Sequence, residues 1–255
     1  MLFRLFSIVL ISLFSHFIYG QSKGMALIKG GSFKPLYVTG QDAIKVNDFE
    51  LDIYPVTNVE FQRFLIENPK WQKKNVLALY ADSHYLSQFD ESLKLKNGFK
   101  PNAPVTNISW FAARAYCECQ GKRLATVDEW EYVARADQTS KDASDKEGFT
   151  AYILSWYEKP NSYDKVIGST FKNYWGVYDM HGLVWEWTYD YNSVLISGES
   201  RKDLDENANL FCGGAAVNVE DLRNYAAFMR YAFRGSLKSN YSVKNLGFRC
   251  AKSVK

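Results

Sequence analysis

The chain has 255 residues, of which 47% are hydrophobic and 16% aromatic, and it carries 31 Lys and Arg against 28 Asp and Glu for a formal charge of +3. That length and apolar content suffice for one large domain or two small ones. The near-balanced charge points to neither nucleic acid nor an acidic membrane surface as partner.

In chain order, the first twenty residues, MLFRLFSIVLISLFSHFIYG, place Arg4 ahead of an apolar run and end on Gly20 before Gln21-Ser22-Lys23. Charge, apolar run and small residue in that order predict a secretory signal peptide over residues 1–20 and a mature part over 21–255. Leu5 to Tyr19, with His16 inside, falls short of the about 20 apolar residues that span a bilayer, so no transmembrane anchor is expected after cleavage. The predicted address is periplasmic or extracellular. MALIKGGSF then predicts a short strand into a Gly-Gly turn, and VNDFELDIYPV a second extended segment closed by Pro55. Thr57-Asn58-Val59-Glu60 has the form of a capping box, which starts a helix that Asn68-Pro69 ends. Residues 70–104 have no clear period and predict a long excursion with at most a short helix.

Ser109 opens a second helix, with Phe111, Ala112, Ala115, Tyr116 and Cys119 at helical spacing and Gly121 as its stop. Thr126-Val127-Asp128-Glu129 repeats the capping box and starts a third helix through WEYVARA. Beyond Asp137 the pattern predicts a surface loop over SKDASDKEG and then short irregular strands, with no long helix. No repeat or linker divides the mature chain, so residues 21–255 are expected to form a single domain. Its four cysteines, Cys117, Cys119, Cys212 and Cys250, allow two disulfides in an exported protein, in any of three pairings. The C-x-C spacing of the first two argues against a zinc site.

Five segments in order, MALIKGGSF, YPVTNVEFQRF, PVTNISWFAARAYCECQGKRLATVDEWEYVARA, WGVYDMHGLVWEWTYD, and RYAFRGS with NLGFRC, resemble the sulfatase-modifying-factor family that includes formylglycine-generating enzyme. The resemblance implies an α+β fold related to the C-type-lectin-like folds, with small sheets, two or three helices and much irregular loop. It also implies a disulfide between Cys117 and Cys250, which leaves Cys119 and Cys212 available as a second pair.

In that family the oxidation of a substrate cysteine is understood to use copper(I) held by two cysteines after a Gly-Gly-Ser strand, as suits soft thiolates. The corresponding stretch here, CGGAAVNVEDLRNYAAFMRYAFRG, has no cysteine after Cys212, and Ala215 stands where the serine is usual. No copper is expected. After signal removal His84 and His181 are the only histidines, too few for a three-histidine iron site, so no iron is expected either. What the resemblance does imply is calcium in the turn around VWEW, held by the side chains of Asp179 and Glu186 and the carbonyls of Gly182 and Val184. Hard oxygen donors on a tight turn suit that ion, although Leu183 replaces the asparagine common there.

These features predict a non-catalytic, exported domain that binds a protein, peptide or glycan in the groove where relatives hold their substrate. Asn218, Arg223 and Asn245 are the groove candidates. The alternatives are a protein-modifying oxidoreductase with a non-standard metal site and a structural component of an envelope assembly.

Overall fold

The computed structural model describes residues 24–35, 43–159, 161–192 and 222–254. The predicted signal peptide, Cys212 and Asn218 lie outside them.

A four-stranded antiparallel sheet organises the described residues. It is built from β1 (Met25–Ile28), β4 (Phe49–Asp52), β5 (Arg123–Leu124) and β8 (Cys250–Ser253), in the order β1-β4-β8-β5. The first and last described strands therefore lie in one sheet, with Leu51 opposite both Ala26 and Ala251. A hairpin pairs β2 (Gly31–Phe33) with β3 (Ile44–Val46), and a short parallel pair joins β6 (Trp185–Glu186) to β7 (Leu246–Gly247). Gly247 is required at that pairing, because a Cβ there would lie 2.7 Å from the carbonyl oxygen of Val105.

The predicted helix starts are real caps. In α1 (Asn58–Glu67) the Glu60 carboxylate accepts the Thr57 N–H at 2.8 Å. In α2 (Trp110–Cys119) the Ser109 hydroxyl accepts the Ala112 N–H at 3.3 Å, and Gly121, at φ +66°, ends the helix. In α3 (Val127–Ala134) Thr126 and Glu129 exchange reciprocal bonds of 3.1 and 2.9 Å. Each cap satisfies backbone donors that the first helical turn leaves over.

The expectation of no long helix beyond Asp137 is corrected by two further helices, α4 (Glu147–Tyr157) and α5 (Leu222–Gly235). The described residues thus hold five α-helices rather than two or three, and Trp156 and Tyr157 sit at the end of α4. Aromatic residues crowd α4, which hides a period. In α5 the buried face includes Ala226, Ala227, Arg230, Tyr231 and Arg234, so two of its inward positions are charged.

The core has two lobes. One gathers Phe61, Phe64, Tyr116 and Phe248 from α1, α2 and the approach to β8, with ring centroids 5.2 to 6.1 Å apart. The other packs α3 through Trp130 and Val133 against Ile28, Phe49 and Leu51. A disulfide joins Cys117 of α2 to Cys250 of β8, both fully buried. The excursion over 70–104 has only a single 3-10 turn, Pro69–Trp71, yet it delivers Tyr85, Leu86 and Phe89 to the first lobe.

Candidate functional site

The residues singled out in the sequence converge on the turn that leads into β6. Asp179 is fully buried with φ +61°. One of its oxygens accepts the N–H and hydroxyl of Thr170, both at 3.0 Å, and the other accepts the Gly168 N–H. Gly182 follows at φ +93°, where a Cβ would come within 2.6 Å of the Tyr152 hydroxyl, so only glycine closes the turn.

Glu186 is engaged differently. Its carboxylate meets Arg249 through Nε and a terminal nitrogen at 2.8 to 3.0 Å and accepts the Trp130 indole N–H at 2.8 Å. These four contacts come from three N–H groups, because the single Nε hydrogen is shared between both oxygens. Arg249, 1% exposed, directs its remaining N–H groups to the carbonyls of Asp52, Ile53 and Tyr178. The pair thereby ties the VWEW turn, the end of β4 and the GFRC segment between β7 and β8 to one another. Sequence reading placed Glu186 but not its partner.

The donor set for calcium is therefore only partly open. Asp179 keeps about one lone pair on the oxygen facing Gly168, and Glu186, with three N–H donors, keeps no more than that and already faces the positive charge of Arg249. Of the two histidines among the described residues, His181 is buried, with Nε2 2.8 Å from the Ala134 carbonyl oxygen, and His84 is exposed beside Ser83. Burial, reinforced by the positive charge of Arg230, holds the His181 imidazole down at about 3, so it is neutral.

A second buried network was not read from the sequence. Glu131 of α3 receives Arg230 at 2.8 to 3.1 Å and Arg234 at 2.7 Å, both from α5. Burial alone would push the Glu131 carboxyl up, but the two guanidiniums overcome it and hold it at about 2. The Arg234 guanidinium also lies 4.8 Å from the Trp130 ring centroid. The network seats α5 on α3 and α4, where the Tyr157 hydroxyl donates to the Ala226 carbonyl at 3.1 Å.

Of the groove candidates, Asn245 is half-buried at the start of β7, and its carbonyl accepts the Trp185 N–H at 2.9 Å. Trp185 stacks with Tyr157 of α4 and Phe233 of α5, at 5.1 and 4.7 Å between centroids. The space beside Asn245 is thus partly filled by the chain's own rings. Asn218 lies outside the described residues, as does the side chain of Arg223. Cys119 is exposed and not disulfide-bonded to any described residue, and its proposed partner Cys212 lies outside the described residues.

The model of the FGE-sulfatase family, the sulfatase-modifying factor enzyme 1-like domain, matches residues 13–254. The chain belongs to this family. Among its relatives is inactive C-alpha-formylglycine-generating enzyme 2 of Bos taurus, 27% identical over 91% of this chain and 89% of that protein. Formylglycine-generating enzyme of the same organism is 26% identical over 82% of this chain and 66% of its own length. A Chlamydia pneumoniae protein named serine/threonine-protein kinase pkn1 is 30% identical over 90% of this chain, which spans 38% of that longer protein. Among solved structures, PvdO from Pseudomonas aeruginosa aligns over 90% of this chain and 94% of its own, at 20% identity and a TM-score of 0.46. The relatives thus include one named formylglycine-generating enzyme and one named inactive.

Proposed function

We propose that the chain is an exported, non-catalytic member of the formylglycine-generating-enzyme-like family that binds a protein, peptide or glycan partner on the face where relatives hold their substrate. One observation carries this reading. The segment that would supply two copper-binding thiolates has none between residues 213 and 249, and its described part is a helix pinned by Arg230 and Arg234 to Glu131. The buried disulfide and the N-terminal charge-apolar-small pattern support export. The kinase name belongs to proteins of which this chain spans a minor part, and no phosphoryl transfer is proposed.

The test is direct. Purified mature protein loaded with copper(I) and given oxygen is expected to leave a C-x-P-x-R peptide unmodified by mass spectrometry. Formylglycine in that peptide would overturn the non-catalytic reading.

Calcium at Asp179, Gly182, Val184 and Glu186 is a second, narrower proposal, supported by the retention of all four positions. An ion that binds only the native state raises Tm as RT ln(1 + [L]/Kd). Because Arg249 already places a positive charge against Glu186, millimolar calcium is expected to raise Tm only modestly. Chelator should reverse the rise and Asp179→Asn should weaken it. Superimposable melting curves in calcium and chelator would remove the ion from the proposal.

A further inference from the structure

Away from Asn245, a cleft of about 620 Å³ opens between α4 and residues 165–171, with Gly182 in its wall. Its size is that of a small-ligand site. Phe149 and Tyr152 from α4 and Phe171 from the opposite side form its apolar surface. Phe171 meets both of the others edge to face, at centroid distances of 6.3 and 5.4 Å. All three rings are half-buried, and so keep part of their surface open to the cleft.

Three lysines line the same space, Lys146, Lys159 and Lys165. Lys146 is neutralised by Asp137, the one carboxylate in the lining, to which it is ion-paired. Lys159 and Lys165 are exposed and have no ion pair among the described residues. Their sequence neighbours Glu158 and Asp164 do not line the cleft. The net local charge is therefore about two positive units over an aromatic surface. Ordinary solvation accounts for a lone lysine on a helix face; two uncompensated lysines in the lining of one aromatic cleft suggest an anionic ligand with an apolar face. The wall is firmly built, since buried Asp179 holds Thr170 through both its N–H and its hydroxyl.

We propose that this cleft binds an acidic sugar, a uronate or a sugar sulfate ester. The ring face would lie on Phe149, Tyr152 and Phe171, the anion would meet Lys159 and Lys165, and the hydroxyls would find Gln138 and Ser169 in the lining. A pyranose offers an apolar face for stacking, polar edges for hydrogen bonds and, when acidic, a charge for the lysines. This site is separate from the groove at Asn245 and stands whether or not the chain is catalytic.

The experiment is calorimetric titration of the mature protein with oligogalacturonate and, separately, with dextran sulfate oligomers. Neutral cello-oligosaccharide and polyglutamate are the controls for stacking alone and charge alone. Binding of at least one acidic sugar, weakened by 0.5 M salt, is expected. It should fall at least tenfold in Lys159→Ala/Lys165→Ala and in Phe171→Ala. Because both lysines are exposed, the double variant should melt with the wild type, which separates loss of binding from loss of fold. Failure of both acidic sugars to bind, equal binding of polyglutamate, or affinity unchanged in the lysine variant would each overturn the assignment.

Discussion

Replacing Glu131 with glutamine is expected to cost about 3 to 5 kcal/mol of folding stability, because removing one partner leaves the others as uncompensated buried charges. Glutamine keeps the shape of the side chain, so the loss reports charge and not a cavity. Arg230 and Arg234 are 8% and 5% exposed at the side chain and face Glu131 at 7%, so water cannot take over the role of the carboxylate. For a domain of this size the loss corresponds to a fall in Tm on the order of 10 °C. The exposed pair Arg114–Glu118 provides the contrast: both side chains are about half in solvent, and Glu118→Gln should change stability by about 0.5 kcal/mol or less. Equal urea midpoints for Glu131→Gln and the wild type at pH 7 would sink the claim.

The same cluster sets the direction of the pH dependence. Glu131 is held at about 2 against an ordinary 4.5, so its contribution is present above 4.5 and is lost as pH falls towards 2. His181 is held at about 3 against 6.5. The unfolded chain takes up that proton first, so stability also falls as pH drops from 6.5 towards 3. Both act in the same sense. Urea midpoints of the wild type should decline from about pH 6.5 downward, and below pH 4.5 the decline of Glu131→Gln should be shallower than that of the wild type, since only the Glu131 part is removed.

How far these features were legible differs from residue to residue. The capped helices were readable because Thr57, Ser109 and Thr126 act on backbone within three residues of themselves, which is a local signal. The family was readable because its five segments carry the residues that close the fold, Glu186 and Arg249 among them. The partners of those residues were not readable. Glu186 meets an arginine 63 positions away and Glu131 meets arginines 99 and 103 positions away, and no period records such a distance. Helix α5 was missed for the same reason: Arg230 and Arg234 break the apolar stripe that a sequence reader counts, and become intelligible only when Glu131 is placed beneath them. Asp179 was seen as a carboxylate at a turn, but its work of holding residues 168–170 depends on a contact with a loop that has no pattern of its own.

Opening the Cys117–Cys250 disulfide is expected to lower stability by about 2 to 5 kcal/mol, near the upper end if the chain-entropy account holds for a loop this long. The two cysteines are 133 residues apart, and for that separation the model gives about 5 kcal/mol. The bond acts at a sensitive place. Cys250 opens β8, which lies between β4 and β5 in the sheet, and its N–H also donates to Asp52 at 3.1 Å. Asp52 is itself paired with Lys122 at 2.6 Å, next to β5. Fraying of β8 would therefore loosen the residue just before it, Arg249, in its pair with Glu186. Reduction of the wild type and the double substitution Cys117→Ala/Cys250→Ala should give similar melting temperatures, both well below the oxidised protein. Reduction keeps both sulfurs in the core and the substitution removes them, so agreement assigns the effect to the bond and a gap between them measures lost packing. The urea m-value should rise on reduction, since an unlinked unfolded chain exposes more surface. A reduced wild type that melts with the oxidised one would show that packing and hydrogen bonds alone hold β8 in place.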